Sequence, residues 1–158
     1  MRHFELKTFL PCSANAAWAA VQRRTLLEYV THPLLKFMPL ELEALSERFR
    51  EGLYELKLYL LGFLPLGRHT IRVVSVDPSR YELITEESGT LVKIWNHRLT
   101  LRTDARGRTL YSDALSLDAG RLTPVLWAFA QTFYRYRQLR WRGLARTLET
   151  SSLQTEVG

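Results

Sequence analysis

His97 and Asp113 are titratable side chains set among apolar neighbours on two segments that both alternate in polarity. Trp95, His97, Leu99 and Leu101 share one face of the first segment, and Tyr111, Asp113, Leu115 and Leu117 share one face of the second, because successive strand side chains point to opposite sides. Both faces are apolar apart from that histidine and aspartate, so both are expected to look inward. A buried carboxylate is costly without a partner, and Asp113 should therefore bond His97, Arg140 or a tyrosine hydroxyl. The simplest same-face register sets His97 opposite Asp113 and Leu99 opposite Tyr111. Such a pair can act as an acid–base dyad in which Asp113 orients the imidazole. It can equally be a satisfied polar pair that fixes strand register. No nucleophile or second acid stands out beside it, so no catalytic residue is assigned.

Arg140 is the third candidate. On a helical wheel Leu122, Leu126, Phe129, Phe133, Tyr136 and Leu144 fall in one arc, with Arg140 near its centre and Arg137 at its flank. Arg140 either carries its charge to the rim, pairs with a core carboxylate, or presents its fork of donors to an anionic or carbonyl group of a ligand. Other chemistries find less support. Cys12 has no neighbour that marks a nucleophile. His3, His32, His69 and His97 lack the spacing of a metal site, and no glycine loop of the phosphate-cradling kind occurs. No metal or cofactor is expected.

The elements that must hold these residues follow from period and punctuation. Phe4 to Leu10 reads as a strand ended by Pro11. Ser13 is placed to cap a helix over Ala14 to Gln22, and Thr25 to Val30 forms a second short helix stopped before Pro33. From Lys36 the period becomes two: Met38, Leu40 and Leu42 alternate with Pro39, Glu41 and Glu43, and Tyr54 to Leu60 alternates likewise. His69 to Val76, Tyr81 to Glu87 and Leu91 to Thr103 follow. A four-residue connection, Asp104 to Gly107, then leads to Arg108 to Asp118. Short connections between successive strands argue for an antiparallel meander. Gly120 ends the sheet, and Arg121 to Leu148 returns to helical period.

At 158 residues the chain is expected to form one domain over residues 1–150, with 151–158 a polar, fraying tail. Its single cysteine and the absence of a secretory signal point to a cytoplasmic location. The apolar run Leu58 to Leu66 is far shorter than the roughly 20 residues of a spanning helix, so membrane contact is at most peripheral. The net charge of +6 comes mostly from arginine, without a run of like charges or a nucleic-acid motif, and no nucleic-acid partner is expected.

The order strand, two short helices, six strands, long helix resembles the START/Bet v 1-like superfamily, which includes polyketide cyclases and dehydratases, lipid-transfer domains and coenzyme Q-binding proteins. The resemblance spans about Arg2 to Leu148. It rests on that order, on the helix entry Ser13-Ala14-Asn15-Ala16-Ala17-Trp18, and on the connections Leu64-Pro65-Leu66-Gly67-Arg68-His69 and Glu87-Ser88-Gly89. It implies an α+β helix-grip fold: a curved, seven-stranded antiparallel sheet wrapped on a long C-terminal helix, enclosing an apolar cavity. In that cavity Trp95, Leu99, Tyr111, Phe129, Phe133 and Tyr136 would line a small hydrophobic or aromatic ligand such as a lipid, quinone or polyketide. His97, Asp113 and Arg140 would orient the ligand's polar group. The alternatives are a cyclase or dehydratase using His97 and Asp113, and an interaction module.

Two surface features stand apart from the cavity. Leu60 to Gly67 is unusually apolar for a connection; it either continues into the core or forms an apolar lip at the cavity mouth, able to touch a membrane. Trp127, Tyr134 and Trp141 recur every seven residues on a flank away from the inward arc. They are expected to pack on the short helices or to form a homodimer seam.

Overall fold

The structure, a computed structural model, describes residues 1–40 and 47–155, the side chains of 149–155 apart. Leu42, Glu41 and Glu43, expected to extend the second strand, lie outside the described residues, as do residues 156–158 of the expected tail. The chain runs β1 (Arg2–Leu10), α1 (Ala14–Val21), α2 (Arg24–Thr31), β2 (Leu35–Pro39), β3 (Gly52–Leu60), β4 (Leu64–Asp77), β5 (Glu82–Gly89), β6 (Ile94–Thr103) and β7 (Thr109–Asp118). A single 3-10 turn (Gly120–Leu122) then enters α3 (Thr123–Thr155). Ser13 caps α1, its hydroxyl accepting from the Ala16 amide at 3.2 Å, which satisfies one of the free donors of the first turn.

The seven strands form one antiparallel sheet in the order β1-β7-β6-β5-β4-β3-β2. α3 crosses its concave face against β1, and α2 packs on α3. This is the helix-grip arrangement. The apolar run Leu60 to Gly67 is mostly strand: only Leu61 to Phe63 turn, and β4 begins at Leu64.

Two expectations are corrected. The β6–β7 connection has five residues, Asp104 to Arg108, because Thr103 pairs Thr109. The Asp104 carboxylate closes the loop by accepting from the amides of Arg106 and Arg108 at 3.0 and 2.8 Å, an Asx-type turn. The register consequently sets Leu99 opposite Asp113 and Leu101 opposite Tyr111. The second correction concerns α3. Its sheet-facing residues are Ala130, Phe133, Tyr134, Gln138, Trp141 and Ala145, all buried, whereas Leu122 is exposed and Tyr136 and Arg140 face α2. The inward face is thus turned by about 100°, one residue's step, from the predicted arc. Tyr134 and Trp141 therefore lie under the chain's own sheet. Tyr134 stacks on Trp95 at 6.2 Å and Trp141 meets Tyr111 edge-on at 6.3 Å. Trp127, half-buried, packs on Phe4 beneath Arg2. Tyr134 and Trp141 are thus covered from within by the chain's own sheet, and only Trp127 of the stripe keeps part of its surface open.

Candidate functional site: a polar layer in an apolar cavity

The core divides into two apolar clusters. One gathers Leu99, Leu101, Tyr111, Trp141 and Ala145 with α1; the other gathers Leu115, Leu117, Ala130, Phe133 and Tyr134. Between them, at the same level on three elements, come His97 on β6, Asp113 on β7, and Arg137 with Gln138 on α3. A cavity of about 160 Å³ lies against this layer. Its wall includes Trp95, His97, Leu99 and Tyr111 from the sheet, and Phe129, Phe133, Tyr134, Arg137 and Trp141 from α3.

His97 Nε2 lies 2.7 Å from Asp113 Oδ1. They are diagonal neighbours rather than the expected direct pair, and one step along the pleat is within reach of side chains this long. Asp113 also accepts from the Tyr111 hydroxyl at 2.9 Å and from Gln138 Nε2 at 3.0 Å. Burial works to raise its pKa, but the His97 bond, the Arg137 charge and the Gln138 bond outweigh it, and the carboxyl is held below its ordinary value. With Asp113 ionised, Nε2 of His97 carries the shared proton. The Tyr111 hydroxyl is pushed well above its usual range, first by burial and then by Asp113.

Arg137 is the unsatisfied member. Its guanidinium lies 4.7 Å from the centre of the Tyr134 ring and 5.8 Å from that of Phe133. Its Nε is buried without a hydrogen-bond partner. Burial opposes its charge, yet the oxygens of Tyr111, Asp113, Tyr134 and Glu87 favour it, and the group stays firmly protonated. The nearest anionic oxygens attract Arg137 without bonding to it.

A second polar group lines the same cavity on β4 and β5. His69 Nε2 bonds Glu87 Oε2 at 2.9 Å, and the Thr85 hydroxyl donates to Glu87 Oε1 at 2.7 Å. Thr85 in turn sits opposite His97 in the β5–β6 register. The polar layer thus continues across four strands, from His69 to Asp113.

Of the residues expected at a ligand, Trp95, His97, Leu99, Tyr111, Phe129 and Phe133 line the cavity. Asp113 stands directly behind His97. Tyr136 and Arg140 do not reach it: the Tyr136 hydroxyl donates to the His32 carbonyl at 2.6 Å, and Arg140 Nε donates to the Tyr29 carbonyl at 2.9 Å. Both tie α3 to α2. Arg137, His69 and Glu87 were not singled out from sequence. Signals for them existed: Arg137 is spaced three and four residues from Tyr134 and Trp141, and His69 and Glu87 continue the inward alternations of Ile71 and Val73 and of Leu83 and Thr85.

Comparison with solved structures gives the fold the same identity. The Zhui aromatase/cyclase of Streptomyces sp. R1128 matches with a TM-score of 0.66 and 16% identity over 92% of this chain and 93% of its own. A START superfamily protein of Mycobacterium smegmatis matches at 0.66 and 14% over 92% and 98%. Ara h 8.0201 matches at 0.67 and 11% over 92% and 98%. At such identities the likeness shows the fold alone, that of the START/Bet v 1-like superfamily. No curated protein matches the sequence. Residues 8–147 match a domain of unknown function, DUF8410, and the chain belongs to that family.

Proposed function

We propose that this protein binds or carries a small hydrophobic or aromatic molecule in the interior cavity, with an oxygen acceptor of that molecule placed on Arg137. The observation that carries this reading is the guanidinium on the cavity wall, with its buried Nε unpartnered. A buried N–H left without an acceptor costs about 1–3 kcal/mol, and a carbonyl, carboxylate or enolate oxygen would relieve it. Trp95, Leu99, Tyr111, Phe129 and Phe133 would hold the apolar body, and His97, backed by Asp113, the remaining polar group. The volume is close to the roughly 150 Å³ that admits a benzene-sized ring. A longer ligand would extend through the mouth or spread α2 from the sheet.

Native mass spectrometry of the purified protein, followed by organic extraction, tests this. A co-purifying lipid, quinone or aromatic molecule that is absent from the Arg137→Met variant is the expected result. A ligand retained equally by both would overturn the role of Arg137.

A second reading is favoured by His97 lying on the cavity wall while bonded to Asp113. The imidazole would move a proton on a polyketone-like substrate while Arg137 steadies the enolate oxygen. His97→Gln should then abolish turnover while leaving ligand mass and melting temperature nearly unchanged. Loss of the fold instead would make the pair structural.

A further inference from the structure

Three chain reversals lie toward the end of the molecule where the cavity opens. The cavity wall becomes exposed at Arg68, Thr90 and Leu91. Register turns them toward the same end: Leu60 pairs both Leu64 and Leu35, Gly89 pairs His69, and Ile94 pairs Asp118 at the entry to α3, so the β3–β4 hairpin projects along β4 past the level of Gly89. Each reversal holds large apolar side chains out to solvent. The β3–β4 turn presents Leu61, Phe63 and Leu64, the β5–β6 turn Leu91, and the start of α3 Leu122 and Val125. Phe63 is 74% exposed and Val125 66%.

Leu61 supplies an independent sign. Its φ of 53° and that of Gly62, 80°, place both in the left-handed region. There a leucine costs roughly 1–2 kcal/mol and an asparagine or glycine much less. The turn thus retains an exposed apolar side chain against its own backbone preference, a pattern of strain typical of functional positions.

Charge completes the picture. Lys36, Arg68, Lys93 and Arg121 are exposed around the same end. Two acids lie nearby: Asp118 pairs with the terminal amine at 3.7 Å and also attracts Lys93, and Glu87 turns inward onto His69, which leaves Lys36, Arg68 and Arg121 to dominate the charge of this end. The end is a set of apolar tips inside a basic collar. No helix among the described residues is long and apolar enough to cross a membrane, so any lipid contact made by α3 is interfacial.

We infer that this end docks on an anionic lipid surface, inserting Leu61, Phe63 and Leu64 beside Leu91 and Val125 while Lys36, Arg68, Lys93 and Arg121 meet the headgroup phosphates. Separate projecting tips suit shallow insertion among lipids, and a basic collar complements phosphate. The cavity mouth then faces the bilayer. The inference goes beyond ligand binding, and the docking does not require a loaded cavity.

Flotation of the full chain with phosphatidylcholine–phosphatidylglycerol vesicles, against phosphatidylcholine alone, tests it. Binding to the anionic vesicles that weakens with added salt is expected. Lys93→Glu with Arg121→Glu should reduce it by about tenfold or more, since each basic group near an anionic surface is worth about fivefold. Leu61→Asn with Phe63→Ser should reduce it comparably without lowering the melting temperature, because asparagine suits the turn. Arg80→Glu with Arg106→Glu, at the opposite end, should leave it unchanged. Absence of flotation, or binding indifferent to the lip variants, would overturn the inference. So would a lipid-independent dimer in sedimentation that the lip variants dissolve, since the occupant would then be a second copy of the chain.

Discussion

Asp113 accepts hydrogen bonds from His97, Tyr111 and Gln138 while fully buried, and Gln138 also donates to the Leu6 carbonyl at 3.0 Å. One carboxylate therefore ties β6, β7, α3 and β1 together. Asp113→Asn would turn an amide donor toward groups that are already donors and would leave Arg137 without its buried counter-charge. Breaking a buried ionic network of this kind costs about 3–5 kcal/mol, and chemical denaturation should show that loss at neutral pH. The sign of the acid response follows from the depressed pKa. A carboxyl with a folded pKa below its unfolded value stabilises the protein above the unfolded value, near pH 4, and loses that contribution as pH falls through the folded one. Wild type should thus lose stability more steeply than Asp113→Asn below about pH 4, in denaturation midpoints followed against pH. The inward placement of His97 and Asp113 was legible from alternation alone. Their partners on α3 were not, because a polar residue on a helix shows its role only once the helix's rotation is known.

Rotation was the element-scale difficulty. α3 carries two apolar stripes, one through Phe129 and Phe133 and one through Trp127, Tyr134 and Trp141. The sheet takes the second, through Tyr134 and Trp141, where Ala130 and Ala145 beside them allow close approach. A wheel weights the leucine-rich stripe and misses that small residues mark the contact. The β6–β7 register escaped for a different reason: the extra loop residue is fixed by the Asp104 side chain, a local bond that strand periodicity does not report. Within the sheet, β4 and β5 depend on Gly89. A Cβ there would stand 2.6 Å from the Arg68 carbonyl and 2.8 Å from Nδ1 of His69, a clash with backbone that no rotamer relieves. Gly89→Ala should destabilise by about 1–3 kcal/mol and displace the His69 ring from Glu87, visible as a lower melting temperature and a changed His69 imidazole resonance. Trp141→Ala, which empties the seam between α3 and Tyr111, should cost about 3–5 kcal/mol in denaturant titration.

For the molecule as a whole, stability and ligand binding pull Arg137 in opposite directions. Two apolar clusters would make a tighter protein if they met, yet a cationic layer and a cavity separate them. Replacing Arg137 by methionine removes the attraction of Asp113 but also the burial of an incompletely satisfied guanidinium, and these terms are of similar size. Asp113 keeps its three hydrogen bonds in the variant, so the empty protein should melt within a few degrees of wild type, a change of about 1 kcal/mol. The ligand should separate the two. A molecule that binds only the native state adds about 2.7 kcal/mol at a hundredfold excess over its dissociation constant. In a domain of this size that corresponds to a rise of about 5–11 °C. Thermal denaturation with the extracted ligand should show such a shift for wild type and little or none for Arg137→Met. A variant that gains the same shift would move the polar anchor to the His69–Glu87 side of the cavity. A variant that melts far below wild type without ligand would make Arg137 part of the scaffold, its charge needed by Asp113 before any ligand arrives.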